Sequence, residues 1–160
     1  QEPLYYSQKN TGRPSSPIHV TYSGYTDAPK TALYPFGFGL SYTSFEYKNL
    51  KLNKNSIPYN GEIQATVEVS NTGSRDGEEV IQLYIRDLIG SLTRPIKELK
   101  GFQKIMIKAG ETKTVQFTIN AEMLQFYTVN KKWEVEPGDF NVWIGGDSRT
   151  SLKQLFTVSE

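Results

Sequence analysis

From about residue 43 onward, apolar and polar residues alternate along the chain in the way that is typical of half-buried β-strands. In residues 62–70 every odd-numbered position is apolar and every even-numbered one is polar. We therefore predict that one face of this strand enters a core and the other meets water. Residues 79–87 also alternate, but their second face is only partly polar, which indicates a central place in a sheet. Further strands are predicted near residues 114–119, 140–144 and 156–158.

The first strand contains a change of parity. Phe45 and Tyr47 occupy odd positions, whereas Leu50 and Leu52 occupy even ones. A β-bulge inserts one extra residue and turns the rest of the strand toward the other face. We therefore predict a bulge near residues 48–49.

Helical signals are scarce. Asn120 is a favourable N-cap residue, and we predict one short helical turn from Ala121 to Phe126. The remaining pattern reads as about seven strands spaced by 8 to 15 residues, with turns that contain Gly, Asn or Pro. This pattern predicts an all-β sandwich rather than an α/β enzyme fold.

The first 42 residues differ in composition from the rest. They hold six of the ten tyrosines and five of the eight prolines, but only five charged residues. Each proline fixes φ and removes a backbone donor, so we predict an extended and irregular segment. Its aromatic content distinguishes it from a disordered linker. We therefore divide the chain into an extended arm, residues 1–42, and a sandwich, residues 43–160, and expect the arm to pack along a neighbouring surface.

Aromatic rings with polar tips suit both wet protein interfaces and contact with sugar rings. The sequence favours an interface for the arm, with a sugar platform as the alternative. The candidate residues for interdomain or cleft-rim contact are Tyr5, Tyr6, Arg13, Tyr34 and Phe36.

Composition narrows the possible functions. The chain has 160 residues, a formal net charge of +1, one histidine and no cysteine. A disulfide framework and a thiolate metal site are therefore impossible, and no global field attracts nucleic acid or an anionic membrane. No apolar run approaches the roughly 18 residues that span a bilayer. Because the chain starts at Gln1 rather than Met, we expect a piece of a longer or processed protein.

No catalytic residue is predicted. A glycosidase needs two carboxylates that face each other across a cleft, but Glu78 and Glu79 are adjacent in a strand and point to opposite faces. With Asp87, they are interpreted as solvated strand ends. His19, the only histidine, lies in the proline-rich arm without the sharp turn that presents a nucleophilic serine.

No metal or cofactor is predicted either. Asp139 and Asp147 flank a strand without the dense oxygen ligands of a calcium loop. The glycines of 37–39 and 145–146 are not followed by a helix that could hold a phosphate, so they are interpreted as turns. A run of lysines around Phe102 contains glutamate and is interpreted as a solvated sheet edge rather than a nucleic-acid patch. These lysines are Lys97, Lys100, Lys104 and Lys108.

Several motifs occur in a familiar order. They are LYPFGFGLSYTSF at 33–45, NTG before DG at 71–77, VIQLY at 80–84, RPIKELKGF at 94–102 and WEVEPG at 133–138. Together they strongly resemble the C-terminal fibronectin type III-like domain of glycoside hydrolase family 3 β-glucosidases, with the linker that precedes it. The resemblance covers essentially the whole chain and implies a fibronectin type III-like (immunoglobulin-like) β-sandwich.

The resemblance implies an enzyme whose chemistry lies elsewhere. In that family the nucleophilic aspartate belongs to an N-terminal barrel, and the acid/base glutamate commonly comes from the following α/β domain. No residue of this chain matches either role. We therefore expect a non-catalytic accessory module, inactive alone, of a β-glucosidase that hydrolyses terminal β-glucosyl residues. Its implied partners are the barrel and α/β domains, and the substrate of the whole enzyme is a β-glucoside or oligosaccharide.

Other functions remain open at this stage. The alternatives are a carbohydrate-binding module that uses the N-terminal tyrosines, an immunoglobulin-like adhesion domain and, least favoured, intrinsic catalysis. The family resemblance also implies a periplasmic or secreted protein, whose signal would lie upstream of Gln1.

Overall fold

The computed structural model describes residues 5–9 and 31–160. Within this part the chain forms ten strands and one short helix. In chain order they are β1 Phe45–Leu52, β2 Ser56–Pro58, β3 Glu62–Asn71, β4 Gly77–Asp87, β5 Glu98–Ile107, β6 Thr112–Asn120, α1 Ala121–Leu124, β7 Phe126–Tyr127, β8 Trp133–Glu134, β9 Gly138–Gly145 and β10 Lys153–Ser159. Seven strands have seven or more residues, so the predicted all-β fold of about seven strands is confirmed.

Two sheets share one core. The first has three strands in the order β1-β3-β6, and the second has five in the order β2-β10-β9-β4-β5. Neighbouring strands are antiparallel except β2 and β10, which run parallel. Strands β7 and β8 form a separate hairpin. Because buried side chains from both sheets belong to one apolar cluster, the architecture is a sandwich.

Strand β3 shows how the pattern of the sequence produces this core. Its four odd-numbered apolar residues, Ile63, Ala65, Val67 and Val69, are fully buried. The polar residues between them stay partly exposed, because successive side chains of a strand point to opposite faces. The strand lies between β1 and β6. Its buried residues therefore form the centre of the core-facing side of the three-stranded sheet.

The predicted bulge is present in β1. The pairing with β3 shifts between Lys48 and Lys51. Asn49 adopts a positive φ of 55°, a conformation that asparagine tolerates better than most residues. Its side chain donates a hydrogen bond of 2.7 Å to Glu68. The shift turns Leu50 into the core, where it is buried.

The predicted helical turn also forms, but it is shorter than expected. The side chain of Asn120 accepts a hydrogen bond of 3.1 Å from the Met123 amide, as an N-cap should. The helix ends at Leu124 because Gln125 is extended and Phe126 begins β7. The expected extension to Phe126 was therefore wrong.

Strand β4 occupies the predicted central position, between β9 and β5. Both of its faces are buried from Ile81 to Ile85, so something other than the sandwich core covers its outer face. Strand β5 lies at the edge of the sheet. No helix in the described part of the chain has the length and apolarity that a membrane-spanning helix needs.

We expect two adjacent substitutions in β10 to differ widely in cost. Phe156 is 0% exposed and stacks on Phe140 with ring centroids 5.5 Å apart, whereas Leu155 is 49% exposed. Phe156→Ala should lower the free energy of unfolding by about 3–5 kcal/mol, because it leaves a cavity. Leu155→Ala should change it by less than about 1 kcal/mol. Chemical denaturation of the purified chain measures both, and equal losses would contradict the orientation of β10.

Candidate functional site

The last part of the arm, residues 31–42, lies over the outer face of the five-stranded sheet. The backbone carbonyl of Gly37 accepts a hydrogen bond of 3.0 Å from the Gln82 side chain. The carbonyl of Phe36 accepts one of 2.9 Å from the Ser148 amide in the loop between β9 and β10. This segment is therefore tied to the sandwich through its backbone.

Gln82 connects three parts of the molecule. Its side chain is buried on the outer face of β4, and its amide nitrogen donates to the carbonyls of Gly37 and Gly146. Its amide oxygen accepts a hydrogen bond from the hydroxyl of Tyr84. Burial raises the pKa of Tyr84 above its usual range, so the hydroxyl keeps the proton that it donates. Both polar atoms of this amide therefore have hydrogen-bond partners, as is usual for buried polar groups.

Gly37 cannot be replaced without strain. Its φ is +81°, and a Cβ at this position would lie 2.0 Å from the side-chain oxygen of Gln82. Glycine adopts this backbone region without steric cost and allows the close approach. The predicted turn at residues 37–39 is therefore also an attachment point for the arm.

Lys97 fixes the loop between β9 and β10 from a second side. Its ammonium group donates hydrogen bonds of 2.8 and 3.0 Å to the carbonyls of Ser148 and Thr150. The ammonium nitrogen lies 4.6 Å from the centroid of the Trp143 ring, a cation–π geometry. Burial lowers the pKa of Lys97, and nearby Asp147 opposes this effect. Its assignment to a solvated edge was wrong, because the loop folds over it.

The two lysines of β5, Lys100 and Lys104, lie on the edge strand as expected and pair with glutamates. Lys104 forms an ion pair of 2.6 Å with Glu78, and Lys100 lies 3.8 Å from Glu98.

Four of the five candidate contact residues lie around one groove, which we call the tyrosine groove. Tyr5, Tyr6, Tyr34 and Phe36 line this cavity of about 550 Å³. The rings of Tyr6 and Phe36 are stacked, with centroids 3.9 Å apart and planes 11° apart. Arg13 and His19 lie outside the described residues. The contact role of these side chains stays a prediction.

The arm also turns large apolar side chains outward. Leu40 is 92% exposed and Tyr42 93% exposed, and Tyr5, Leu33 and Tyr34 are exposed as well. We call these five residues the docking face. Exposed clusters of large apolar side chains commonly mark interaction sites.

A second concavity lies between the arm and the start of β4, and we call it the carboxylate groove. It has a volume of about 710 Å³ and is lined by Phe36–Ser41, Thr43, Phe45, Tyr47, Glu78–Val80, Gln82, Leu99, Phe102, Gly146 and Asp147. Its lining includes five aromatic and three acidic side chains. The Tyr47 hydroxyl donates a hydrogen bond of 2.6 Å to the Glu79 carboxylate.

Glu79 is not the solvated strand end that was expected. Burial raises its pKa, and the hydrogen bond from Tyr47 offsets only part of this shift. Burial and the proximity of Glu79 also raise the pKa of Tyr47 above its usual range. Glu78, by contrast, points to the outer face and pairs with Lys104. The two adjacent glutamates therefore have different surroundings and partners.

Asp87 was also wrongly assigned to a solvated strand end. It is only 7% exposed, and its carboxylate accepts a hydrogen bond of 3.1 Å from the Ile89 amide. Burial raises its pKa, against the opposing charge of Arg94. The guanidinium of Arg94 lies 4.3 Å above the Phe126 ring and bonds to Glu98 at 2.8 Å. The connection after β4 thus folds back over Asp87.

The remaining acidic candidates have local partners. Asp139 accepts a hydrogen bond of 2.7 Å from Thr157, and Asp147 accepts one of 2.7 Å from the Arg149 amide. Within residues 5–9 and 31–160, no group of three or more His, Cys, Asp or Glu side chains is placed to hold a metal ion.

The sequence reasoning missed Gln82 and Lys97 as the residues that hold the arm and the loop. The partly apolar outer face of β4 signalled that this face is covered. It did not signal what covers it, because that contact joins segments 45 residues apart.

Comparison with known proteins places this geometry in a family. The family model described as a fibronectin type III-like domain matches residues 79–148, the stretch from β4 to the loop that Gln82 and Lys97 hold. The chain is 49% identical over 150 residues to the periplasmic beta-glucosidase of Salmonella typhimurium, covering 92% of this chain and 20% of that protein. It is 47% identical over 135 residues to a beta-xylosidase of Formosa agariphila, covering 84% and 18%.

Solved structures agree with the sequence relatives. A beta-glucosidase from Listeria innocua in complex with glucose superposes with a TM-score of 0.89 at 35% identity, covering 98% of this chain and 22% of that one. The chain thus spans about one fifth of the length of these relatives. The sandwich is a fibronectin type III-like domain. More particularly, the chain belongs to the form of this domain that glycoside hydrolase family 3 β-glucosidases carry, as the resemblance implied.

We expect the two arm glycines to respond differently to alanine. Gly37→Ala should release the arm, because the new methyl group collides with Gln82 and disfavours the positive φ. Gly39→Ala should be nearly neutral, since a Cβ there meets no atom within 4 Å. Hydrogen exchange at the Ser148 amide, which bonds to Phe36, reports the contact. Faster exchange in both variants, or in neither, would contradict this attachment.

Glu79→Gln should stabilise the chain in a pH-dependent way. In the folded state the pKa of Glu79 is raised above its ordinary 4.5, so the folded chain holds the Glu79 proton more tightly than the unfolded chain does. The resulting stability is fully present below pH 4.5 and is lost as the pH rises through the folded-state pKa. The amide cannot ionise and still accepts the Tyr47 hydrogen bond. The variant should therefore match the parent chain below pH 4.5 and exceed its melting temperature at pH 7. Glu78→Gln is the control and should show no such gain.

Proposed function

We propose that this chain is a non-catalytic accessory module of a β-glucosidase and that its docking face packs against the catalytic domains of the same enzyme. One observation carries the proposal. Residues 31–42 are hydrogen-bonded to the sandwich through the backbone of Phe36 and Gly37, while Leu40 and Tyr42 are almost completely exposed. Covering such a surface with a partner is favourable, because apolar area is removed from water.

The attachment of residues 31–42 to the sandwich favours docking over a free linker. Ordering a flexible segment at an interface costs conformational entropy, which a pre-organised segment has already lost. The hydrogen bonds to Gly37 and Phe36 hold this segment in place before any partner arrives. A module that spans about one fifth of its relatives would in this way form a wall of the larger enzyme.

The activity of the whole enzyme is proposed as hydrolysis of terminal β-glucosyl residues. Relatives with β-glucosidase and β-xylosidase names match this chain about equally well, so we assign the choice of sugar to residues outside it. Export to the periplasm or secretion is supported by the relative whose name is periplasmic.

A carbohydrate-binding module is the second candidate, favoured by the four aromatic side chains around the tyrosine groove. The stacking of Tyr6 on Phe36 weakens it, because each ring already covers one face of the other. Titration of the chain with cello-oligosaccharides, followed by tryptophan fluorescence and NMR, separates the two. Saturable shifts at the tyrosine groove would favour the sugar platform.

The docking proposal predicts an effect that depends on context. The double variant Leu40→Asp/Tyr42→Asp should leave the melting temperature of the 160-residue chain nearly unchanged, because both side chains are solvated there. In the full-length enzyme it should lower the melting temperature, since each lost interface anchor costs on the order of 2 kcal/mol.

Ile89→Asp provides the matched control. Ile89 is 84% exposed but lies outside the arm, so this substitution should leave both proteins unchanged. Removal of residues 1–160 from the enzyme should lower both its melting temperature and its activity. Full retention of both properties after either change to the docking region would contradict the proposal.

A further inference from the structure

Glu79 differs from the other acidic residues near the carboxylate groove. Glu78 has Lys104 within 2.6 Å, and Asp147 has Arg149 within 3.4 Å. Within residues 5–9 and 31–160, no basic side chain lies within 4.0 Å of the Glu79 carboxylate. Among the described residues, its hydrogen-bond partners are the Tyr47 hydroxyl and the Val80 backbone.

The groove confines this carboxylate against the backbone. A Cβ on Gly146 would lie 2.9 Å from the Glu79 oxygen that accepts the Tyr47 hydrogen bond. The absence of a side chain at Gly146 therefore allows the carboxylate its position. Burial raises the pKa of Glu79, in keeping with a charge that has lost water without gaining a cation.

Aromatic side chains form part of the remaining wall. Phe102 is 66% exposed, and Phe36 and Phe38 are also exposed at the rim. A half-buried anion in a groove that aromatic side chains also line fits one chemical group particularly well. A guanidinium is planar, stacks on aromatic rings, is weakly hydrated and bonds carboxylates through two parallel donors.

We propose that the carboxylate groove receives an arginine side chain, flanked by apolar residues, from the catalytic part of the same enzyme, with Glu79 as its counter-ion. This inference rests on the proposed docking function and names the chemistry of the partner. Charge complementarity favours arginine over a sugar. A sugar hydroxyl would leave the charge of Glu79 uncompensated, whereas a cation neutralises it where water is partly excluded.

The proposal is tested with a capped peptide on the 160-residue chain. Acetyl-Leu-Arg-Phe-amide is titrated into isotope-labelled chain, and NMR follows the Gly146 and Phe102 amides and the Glu79 side-chain carboxyl carbon. The arginine peptide should shift these signals saturably and lower the pH at which Glu79 titrates. The matched peptide acetyl-Leu-Gln-Phe-amide should bind at least about tenfold more weakly, because it lacks a charge-assisted hydrogen bond.

Two substitutions locate the site. Glu79→Gln should weaken the arginine peptide by at least about tenfold and leave the glutamine peptide unaffected. Phe102→Ala should weaken both peptides, because it removes an exposed ring of the wall without opening the core. Glu122→Gln, an exposed carboxylate on α1 outside the groove, is the control and should leave binding unchanged.

Three outcomes would overturn the proposal. Equal affinity for both peptides would make the groove a purely apolar contact. Displacement of the arginine peptide by cellobiose, with shifts at the same signals, would make it a sugar site. An ordinary titration of Glu79 before any peptide is added would mean that its charge is already hydrated or compensated, so the groove would have no unbalanced charge to offer.

Failure of this inference can be told apart from failure of the docking proposal. If the docking-face variant destabilises the full-length enzyme but the arginine peptide does not bind, the docking function stands and the arginine assignment falls. If the peptide binds through Glu79 but the docking-face variant leaves the melting temperature of the full-length enzyme unchanged, the groove is a cation site. The proposal that its arginine comes from the catalytic part of the enzyme is then wrong.

Discussion

The buried amide of Gln82 is the interaction on which the arrangement of the outer face depends. A primary amide without partners in this position would cost about 1–3 kcal/mol. Here it bonds to Gly37, Gly146 and Tyr84, so the arm, the β9–β10 loop and the central strand are joined at one side chain. Lys97 acts alongside it by holding the same loop through two further carbonyls. The end of the arm, the loop and the central strand are therefore connected through one buried hydrogen-bond network.

This network explains why the molecule has two different faces on one sheet. The inner face obeys the ordinary rule that apolar side chains meet in a core. The outer face is held by polar contacts at Gln82 and Lys97, and it leaves Leu40 and Tyr42 of the arm almost fully exposed. At Gln82 the contact between the arm and the sandwich is satisfied in its hydrogen bonds, whereas Leu33, Tyr34, Leu40 and Tyr42 stay exposed. Exposed aromatic side chains of this kind are enriched at protein interfaces.

Features that depend on local pattern could be predicted from the sequence. The alternation in β3, the bulge near Asn49 and the cap at Asn120 each follow from residues within one element. The surroundings of Glu79 and Asp87 could not be predicted, because they arise from segments that return over the strand ends. A carboxylate at a strand end has the same sequence signature whether water or another loop covers it. The aromatic arm was recognised by composition, but its attachment required the contact between Gly37 and Gln82.

Strand β10 lies between β2 and β9 in the five-stranded sheet and brings Phe156 into the core. During synthesis that sheet therefore cannot be completed until residue 159 has left the ribosome, more than a hundred residues after the arm. Until the loop at Ser148 has been made, Tyr5, Tyr6, Tyr34 and Phe36 lack one wall of the groove that they line in the folded domain. The strand that closes the sheet is thus made last, and until then these aromatic side chains stay uncovered in the nascent chain, a transient apolar exposure of the kind that favours aggregation.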